Sequence, residues 1–444
     1  MNYRKLLDKY HDEMLETLKE FCTIPSVYDE TTKTKEKPFG EEVDKALKYI
    51  GKLGESKGFA VEYCDGYATE MTIGSGKKMI GIYAHADVVP ASGNWTNPPF
   101  EPVVYDNRIY ARGTSDDKGP LIAALYATKA LEEAGLIKDY KVRIVVGGDE
   151  ERGSSCLEHY FHDMKKPGPK YGFTPDSDFP LIYGEKGIVD FYPEIEVKIP
   201  NVKSIRGGVA TNAVCDRVEV EMEKSKDFIA YLDEKGIKYS VENKKIIFEG
   251  KSCHGSTPEQ GVNAALICLE CLGDFYEINE LSKIGKCLQE TSGKSFGCYT
   301  NSKLLGDSTY CVGMINYEKN KLSFTVNFRY GETTDNKEIV KKFDEFFATK
   351  STIKEASPHL LYDPKSTLVQ TLLKAYRKET HDKSAPLTTG GGTYAKHAQN
   401  TIAFGALFPN RVSTMHEPNE YMPLDDFYLS AVIYARAIHM LGKK

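Results

Sequence analysis

The absences in this chain narrow its class first. It has no apolar run long enough to span a bilayer, which takes about 20 consecutive apolar residues. It has no surplus of positive charge either: 58 Lys and Arg stand against 64 Asp and Glu, a formal net charge of -6. With a pI near 6.0, this balance argues against nucleic acid or an acidic membrane surface as the main partner. The 10 cysteines show no regular spacing and no secretory signal precedes them, so reduced thiols in a cytoplasm are expected. The opening stretch, MNYRKLLDKYHDEMLETLKEFCTIPSV, reads instead as an amphipathic, heavily charged surface helix that stops before Pro25.

What remains is an ordinary globular composition, 41% hydrophobic and 27% charged. A length of 444 residues exceeds the usual size of a single core, so two domains are expected. Over the first 190 or so residues, short apolar strands end in acidic or histidine residues. KKMIGIYAHADVVP ends in His85 and Asp87, KVRIVVGGDEE in Glu150 and Glu151, and YGFTPDSDFP carries Asp176 just past Pro175. Between the first two, ARGTSDDKGPLIAALYATKALEEAGL reads as a helix with Pro120 in its first turn and Gly135 at its end. Strands alternating with helices imply an α/β fold with a mixed, largely parallel sheet, whose ligands bind outside the carboxyl ends of the strands. The acidic and histidine residues fall there.

From about Ile188 to Leu361 the texture changes. VDFYPEIEVKIP, RVEVEMEK and KLSFTVNFRYG alternate apolar and polar residues, as strands with one solvated face do. From STLVQTLLKAYRKET onward, helix and loop signals resembling the first part return. The expected organisation is therefore a discontinuous domain, residues 1–187 and 362–444, with an α+β domain, residues 188–361, inserted in it.

Taken singly, the polar motifs are weak. His85 and Asp87, at i and i+2, face the same way in an extended chain and suit an imidazole ligand held by a carboxylate. Asp116 and Asp117 precede a helix, where capping is an equally good account. Adjacent Glu150 and Glu151 point in opposite directions if extended, so that one can bind metal while the other reaches water; a solvated turn also fits them. Three further patterns are set aside. Cys156, His159 and His162 do not converge on one ion along a helix. Cys268 and Cys271 lie in the apolar run AALICLECLG and read as core thiols. TTGGGTYAK lacks the order of a phosphate loop.

Two more pieces bring the motifs together: GKSCHGSTPEQGVNAA, with His254 in a loop before a helix beginning near Pro258, and STMHEPNEYMP, with His416 in a polar loop. With HAD, SDDKGP, DEE and TPDSDFP, their order and spacing resemble the dinuclear metallopeptidases of the aminoacylase and carnosinase group. FTPDSDFPLIYGEKG, GGVATNAV, NFRYG and TTGGGTYAKH look like its bacterial dipeptidase V-like, or Xaa-His dipeptidase, branch. The resemblance covers nearly the whole chain.

It implies a zinc-peptidase-like catalytic domain with an inserted lid domain, and a dipeptidase that cleaves dipeptides bearing a free C-terminal carboxylate. His85, Asp116 and Asp176 would hold one divalent ion; Asp116, Glu151 and His416 would hold the other, with Asp116 as the bridge. Asp87 would orient His85, and Glu150 would be the general base toward a metal-activated water. His254 would donate to the oxyanion and Arg329 would clamp the carboxylate. Asn212 and Gly390, Gly391 and Gly392 would add polar contacts. Two imidazoles among carboxylates suit zinc, with manganese or cobalt as alternatives. The five carboxylates Asp87, Asp116, Glu150, Glu151 and Asp176 bring five negative charges, of which two divalent ions would offset four. The same metal set serves N-acyl amino-acid deacylases of the acetylornithine or succinyl-diaminopimelate type, and carboxypeptidases. Partners are expected to be small peptides, neither nucleic acid nor membrane, with the chain a monomer or homodimer.

Overall fold

The computed structural model describes residues 1–444, apart from the side chain of Glu355. The chain forms two compact units. One comprises Met1–Tyr183, Tyr362–Leu387 and Thr393–Lys444; the other comprises Gly184–Leu361 and Thr388–Gly392. The first boundary thus falls at Gly184 rather than at residue 188. The short segment Thr388–Gly392 also belongs to the inserted unit, against expectation. Its hydrogen bonds explain why: Thr389 O accepts the Lys186 amide at 3.1 Å, and Gly390 O accepts Arg329 Nη1 at 2.6 Å.

In the first unit the sheet order is Ala60–Cys64, Ala68–Gly74, Tyr140–Gly147, Lys78–His85, Tyr171–Thr174 and Thr401–Ala403. The first pairs are antiparallel, whereas Lys78–His85 runs parallel to both of its neighbours. The sheet is therefore mixed, parallel at its centre. Lys78–His85 is buried from Met79 onward, as a strand covered on both faces must be, and its sequence MIGIYA has no polar alternation. Three adjacent parallel strands consequently end side by side, at His85, Gly147 and Thr174. Neighbouring strands lie about 4.8 Å apart. Side chains just beyond these ends start within reach of one ion.

The helices that cover this sheet are apolar almost all round. Lys118–Glu133 is buried through Leu131 except at Lys129, and Leu424–Gly442 is buried along most of its length. Such helices belong to a core rather than a surface. Pro120 occupies the first turn of Lys118–Glu133, where a missing N–H costs nothing. Gly135, at φ +61°, ends it. No helix among the described residues is long and apolar enough to cross a membrane.

The inserted unit is built on an antiparallel sheet of eight strands. Along Gly187–Glu196 and Lys321–Tyr330, period-2 alternation sends Val189, Phe191, Val326 and Phe328 into the core. Asp190, Asn327 and Arg329 point to the opposite face, with Asp190 paired directly across from Asn327. The Pro258 region departs from expectation. Pro258–Gln260 is a single 3₁₀ turn, and the helix begins only at Ala264, with Asn263 as its cap.

Candidate metal centre

His85 ends its strand fully buried. Its Nδ1 donates to the carbonyl of Asp87 at 2.9 Å, which leaves Nε2 as the electron-pair donor. Nε2 faces Asp116 Oδ1 at 2.9 Å and Asp176 Oδ2 at 3.6 Å. On the other side of the same carboxylate, Asp116 Oδ2 lies 2.9 Å from His416 Nε2, which is 3.1 Å from Glu151 Oε2. The ligand-type atoms in each of the two groups, His85–Asp116–Asp176 and Asp116–Glu151–His416, lie within 4.8 Å of one another. Ligands holding one ion at about 2.0–2.2 Å are themselves about 3–4 Å apart. The histidine–carboxylate distances, 2.9, 3.6, 2.9 and 3.1 Å, are of about that size, and Asp116 belongs to both groups with one oxygen in each.

The charge balance favours a cation as well. Burial, then the neighbouring carboxylates, push the Glu150 carboxyl well above its ordinary range. The same causes raise Asp176, and bring Glu151 to about 7. Burial opposes charge on His85 and His416, yet the carboxylates around them outweigh it. His85 is raised well above the imidazole range, and His416 to about 11. Asp116 is driven down by His416 and His85 against the burial that would raise it. A cluster this acidic, gathered at the ends of core strands, is stabilised by positive charge placed among it.

Asp87 meets His85 and the Glu150–Glu151 turn at once. Its carboxylate reaches no closer than 3.5 Å to His85 Nδ1; the bond to the imidazole comes from its backbone carbonyl. The carboxylate also accepts the backbone amides of Glu150 at 3.2 Å and Glu151 at 3.1 Å. Glu150 and Glu151 accordingly sit in a turn, not an extended segment, and Asp87 fixes that turn. Asp117 does not cap the helix through its side chain. It is wholly buried, and its Oδ2 accepts the His85 amide at 3.2 Å.

Two residues that sequence reasoning passed over lie inside the same motifs. Arg112 of ARGTSDDKGP and Glu420 of STMHEPNEYMP form a fully buried ion pair, with Nη1 to Oε2 at 2.8 Å. They are separated by 308 residues. No local pattern announces such a pair; the one hint was a charged residue at the edge of each ligand motif.

The remaining expected residues lie together in the inserted unit. Gly255 donates its amide to Asn212 O at 2.7 Å, which sets the His254 and Asn212 segments side by side. His254 is exposed, with Nδ1 2.7 Å from Ser256 Oγ. A Cβ on Gly390 would meet the Ser256 Cβ at 3.1 Å, so the glycine segment also reaches this loop. Gly391 donates to Thr389 Oγ1 at 3.0 Å. Arg329 is 2% exposed, and burial pushes its guanidinium down to about 10. Its Nε donates to Asn327 Oδ1 at 2.8 Å. Asn327 Nδ2 in turn donates to Asp190 Oδ1 at 2.5 Å. Of the patterns set aside, Cys268 and Cys271 are core thiols, and His159 engages Asp65 and Asp163 near the surface.

The two histidine–carboxylate groups at the ends of this mixed α/β sheet could each hold a metal ion. The chain belongs to peptidase family M20/M25/M40, which it matches over residues 81–440. It is 34% identical over 472 residues to "Putative dipeptidase YtjP" of Bacillus subtilis (strain 168), covering 100% of both chains. Human carnosine dipeptidase 1 has a similar fold, with a TM-score of 0.63 at 15% identity, covering 100% of this chain and 98% of that one. So does the Bacillus subtilis YXEP protein, described as a dinuclear metal binding peptidase of the M20 family. Its TM-score is 0.57 at 9% identity, with 98% and 99% of the two chains covered.

Proposed function

We propose that this peptidase hydrolyses dipeptides carrying a free C-terminal carboxylate, with the help of two divalent ions. The observation that carries this is Asp116, whose two oxygens face two different histidine–carboxylate groups at 2.9 Å each. His85, Asp116 and Asp176 would hold one ion, and Asp116, Glu151 and His416 the other. Zinc suits the two imidazoles best, and manganese or cobalt fit the oxygen-rich remainder. Bound there, the ions supply the positive charge that polarises a scissile carbonyl and lowers the pKa of water toward about 7.

The chain's own groups do the rest. Glu150 is the general base, taking a proton from the attacking water and delivering it to the leaving amine. Asp87 keeps Glu150 and Glu151 in place through their amides. His254 is the oxyanion donor, and Arg329 the clamp for the carboxylate, for which a planar guanidinium is suited. Asn212 and Gly391 add polar contacts to the substrate. The whole-length likeness to a dipeptidase-named relative supports the substrate class. A cytoplasmic location belongs to the same proposal, on the expectation of reduced thiols.

The test is an assay of metal-free protein reloaded with zinc, manganese or cobalt. The substrates are dipeptides, C-terminally amidated dipeptides, tripeptides and N-acetyl amino acids. Free dipeptides are expected to be cut fastest, and only after metal is restored. N-acetyl amino acids cut fastest would identify a deacylase. Amidated dipeptides cut as readily as free ones would remove the carboxylate clamp from Arg329.

A further inference from the structure

The buried pair Arg112–Glu420 has an unusual set of partners. Glu420 is 0% exposed. Its Oε1 accepts the Ser115 amide at 2.8 Å, the Ser115 hydroxyl at 3.0 Å and the Asp116 amide at 3.2 Å. Its Oε2 accepts the Gly113 amide at 3.1 Å and Arg112 Nη1 at 2.8 Å. Both oxygens are thus spent on Gly113, Ser115 and Asp116, in the segment that leads into Asp116, and on Arg112. The arginine reaches the other way. Its Nη2 donates to His416 O at 3.3 Å and Pro90 O at 3.5 Å, and its Nη1 also reaches Glu417 O at 3.4 Å. Its guanidinium lies 5.1 Å over the ring of Trp95.

A buried ion pair is a poor device for stability, because desolvation of the two charges offsets most of their attraction. It is a good device for fixing geometry when every bond it makes is directional, and here nearly every bond ends on the backbone of a ligand loop. We propose that Glu420 and Arg112 are positioning residues for the bridging carboxylate. Together they tie the backbone of Asp116 to the backbone of His416 and so set the gap across which Asp116 joins the two ligand groups. This rests on the proposed reading that the two groups hold ions. It assigns to Glu420 and Arg112 a role in metal affinity and pairing, with no contact to substrate.

Glu420→Gln exchanges one acceptor oxygen for an NH₂. That group cannot accept from either the Ser115 and Asp116 amides or the Gly113 amide and Arg112, so one arm of the clamp must open. The experiment is titration of metal-free protein with manganese(II), followed by calorimetry and electron paramagnetic resonance. Two manganese ions joined by one carboxylate give an exchange-coupled signal, and separated ions do not. The unmodified protein should take up two ions with the coupled signal. Glu420→Gln should bind one of them about ten- to a hundredfold more weakly, the usual size of an outer-shell effect, and lose the coupled signal at concentrations that saturate the unmodified protein. Arg112→Lys keeps the positive charge but loses the fork onto His416 and Glu417, and should weaken the same ion by at least about tenfold. It decides the matter if Glu420→Gln does not fold. A fold role alone would lower the melting temperature of the metal-free protein and leave the coupling untouched. Two ions bound with unaltered affinity and coupling in the folded variants would overturn the clamp. Failure of the unmodified protein to bind a coupled pair would instead overturn the site reading beneath it.

Discussion

Glu150 and Glu151 share one anchor, the Asp87 carboxylate, yet their side chains have different company. Glu151 Oε2 lies against His416, whereas the Glu150 carboxyl is pushed up by burial and by Asp176. That difference is the basis for separating a ligand from a base. Glu150→Gln is expected to keep both ions, measured by elemental analysis, while turnover falls by about two to four orders of magnitude. Empty sites in the purified variant would make Glu150 a ligand. A second residue-scale prediction concerns His397, whose imidazole is pushed down to about 4 by burial and by Lys396 beside it. In the unfolded chain it returns to about 6.5. Between those values the unfolded state holds the extra proton, so stability is complete above about pH 6.5 and is lost as pH falls toward 4. Melting temperatures at pH 7.5 and 5 should therefore differ less in His397→Gln than in the unmodified protein; an equal difference would remove His397 from the acid sensitivity. The proposed ligand residues could be picked out in the sequence because each sits at the end of an apolar strand, a few positions past one, or in a short polar loop. Arg112 and Glu420 were not, because burial of a charge depends on a partner far along the chain. The bonds of the Asp87 carboxylate to the Glu150 and Glu151 amides were not legible for a related reason: spacing gives the direction of a side chain, but not which amides it meets.

Elements follow the same division. Lys78–His85 was readable as a strand because its unbroken apolar run, MIGIYA, suits a covered parallel sheet, and Tyr140–Gly147 because it is apolar apart from Lys141 and Arg143. The start of Ala264–Tyr276 was misplaced because Pro258 carries the usual mark of a first helical turn. A three-residue turn suffices for that proline. The chain then extends through Gly261, and Val262 pairs with Lys251 before Asn263 begins the helix. Asn263 Oδ1 accepts the amides of Ala265 at 3.0 Å and Leu266 at 3.3 Å, while its Nδ2 donates to Val312 O at 2.7 Å. One residue therefore caps the helix and ties it to the sheet beneath. Asn263→Ala should cost about 1–2 kcal/mol, at the upper part of the range for a helix cap. It would be read as a lower denaturant midpoint for the inserted unit; an unchanged midpoint would mean that water replaces all three bonds without loss.

At the scale of the molecule, the two units have separate hydrophobic clusters, and every proposed ligand belongs to the first. The change in sequence texture near Ile188 made the insertion legible. The return of Thr388–Gly392 to the inserted unit was not, since it depends on acceptors offered to Arg329 and Lys186 rather than on any pattern of its own. This arrangement bears on stability. A ligand that binds only the folded state stabilises it by RT ln(1 + [L]/Kd), about 2.7 kcal/mol at a hundredfold excess over Kd. His85 ends, and Glu151 and Asp176 follow, three adjacent strands of the first sheet, so ions bound there hold those strand ends together and act on the first core. Hydrogen exchange of metal-free and zinc-loaded protein should show slower exchange in Lys78–His85, Tyr140–Gly147 and Tyr171–Thr174. Arg217–Met222 and Lys321–Tyr330 of the inserted sheet should be unaffected. Slowing of equal size in both sheets would show that the two cores open as one cooperative body. No slowing in the first sheet would show that the ions do not bind at these strand ends, and with that the proposed centre would fall.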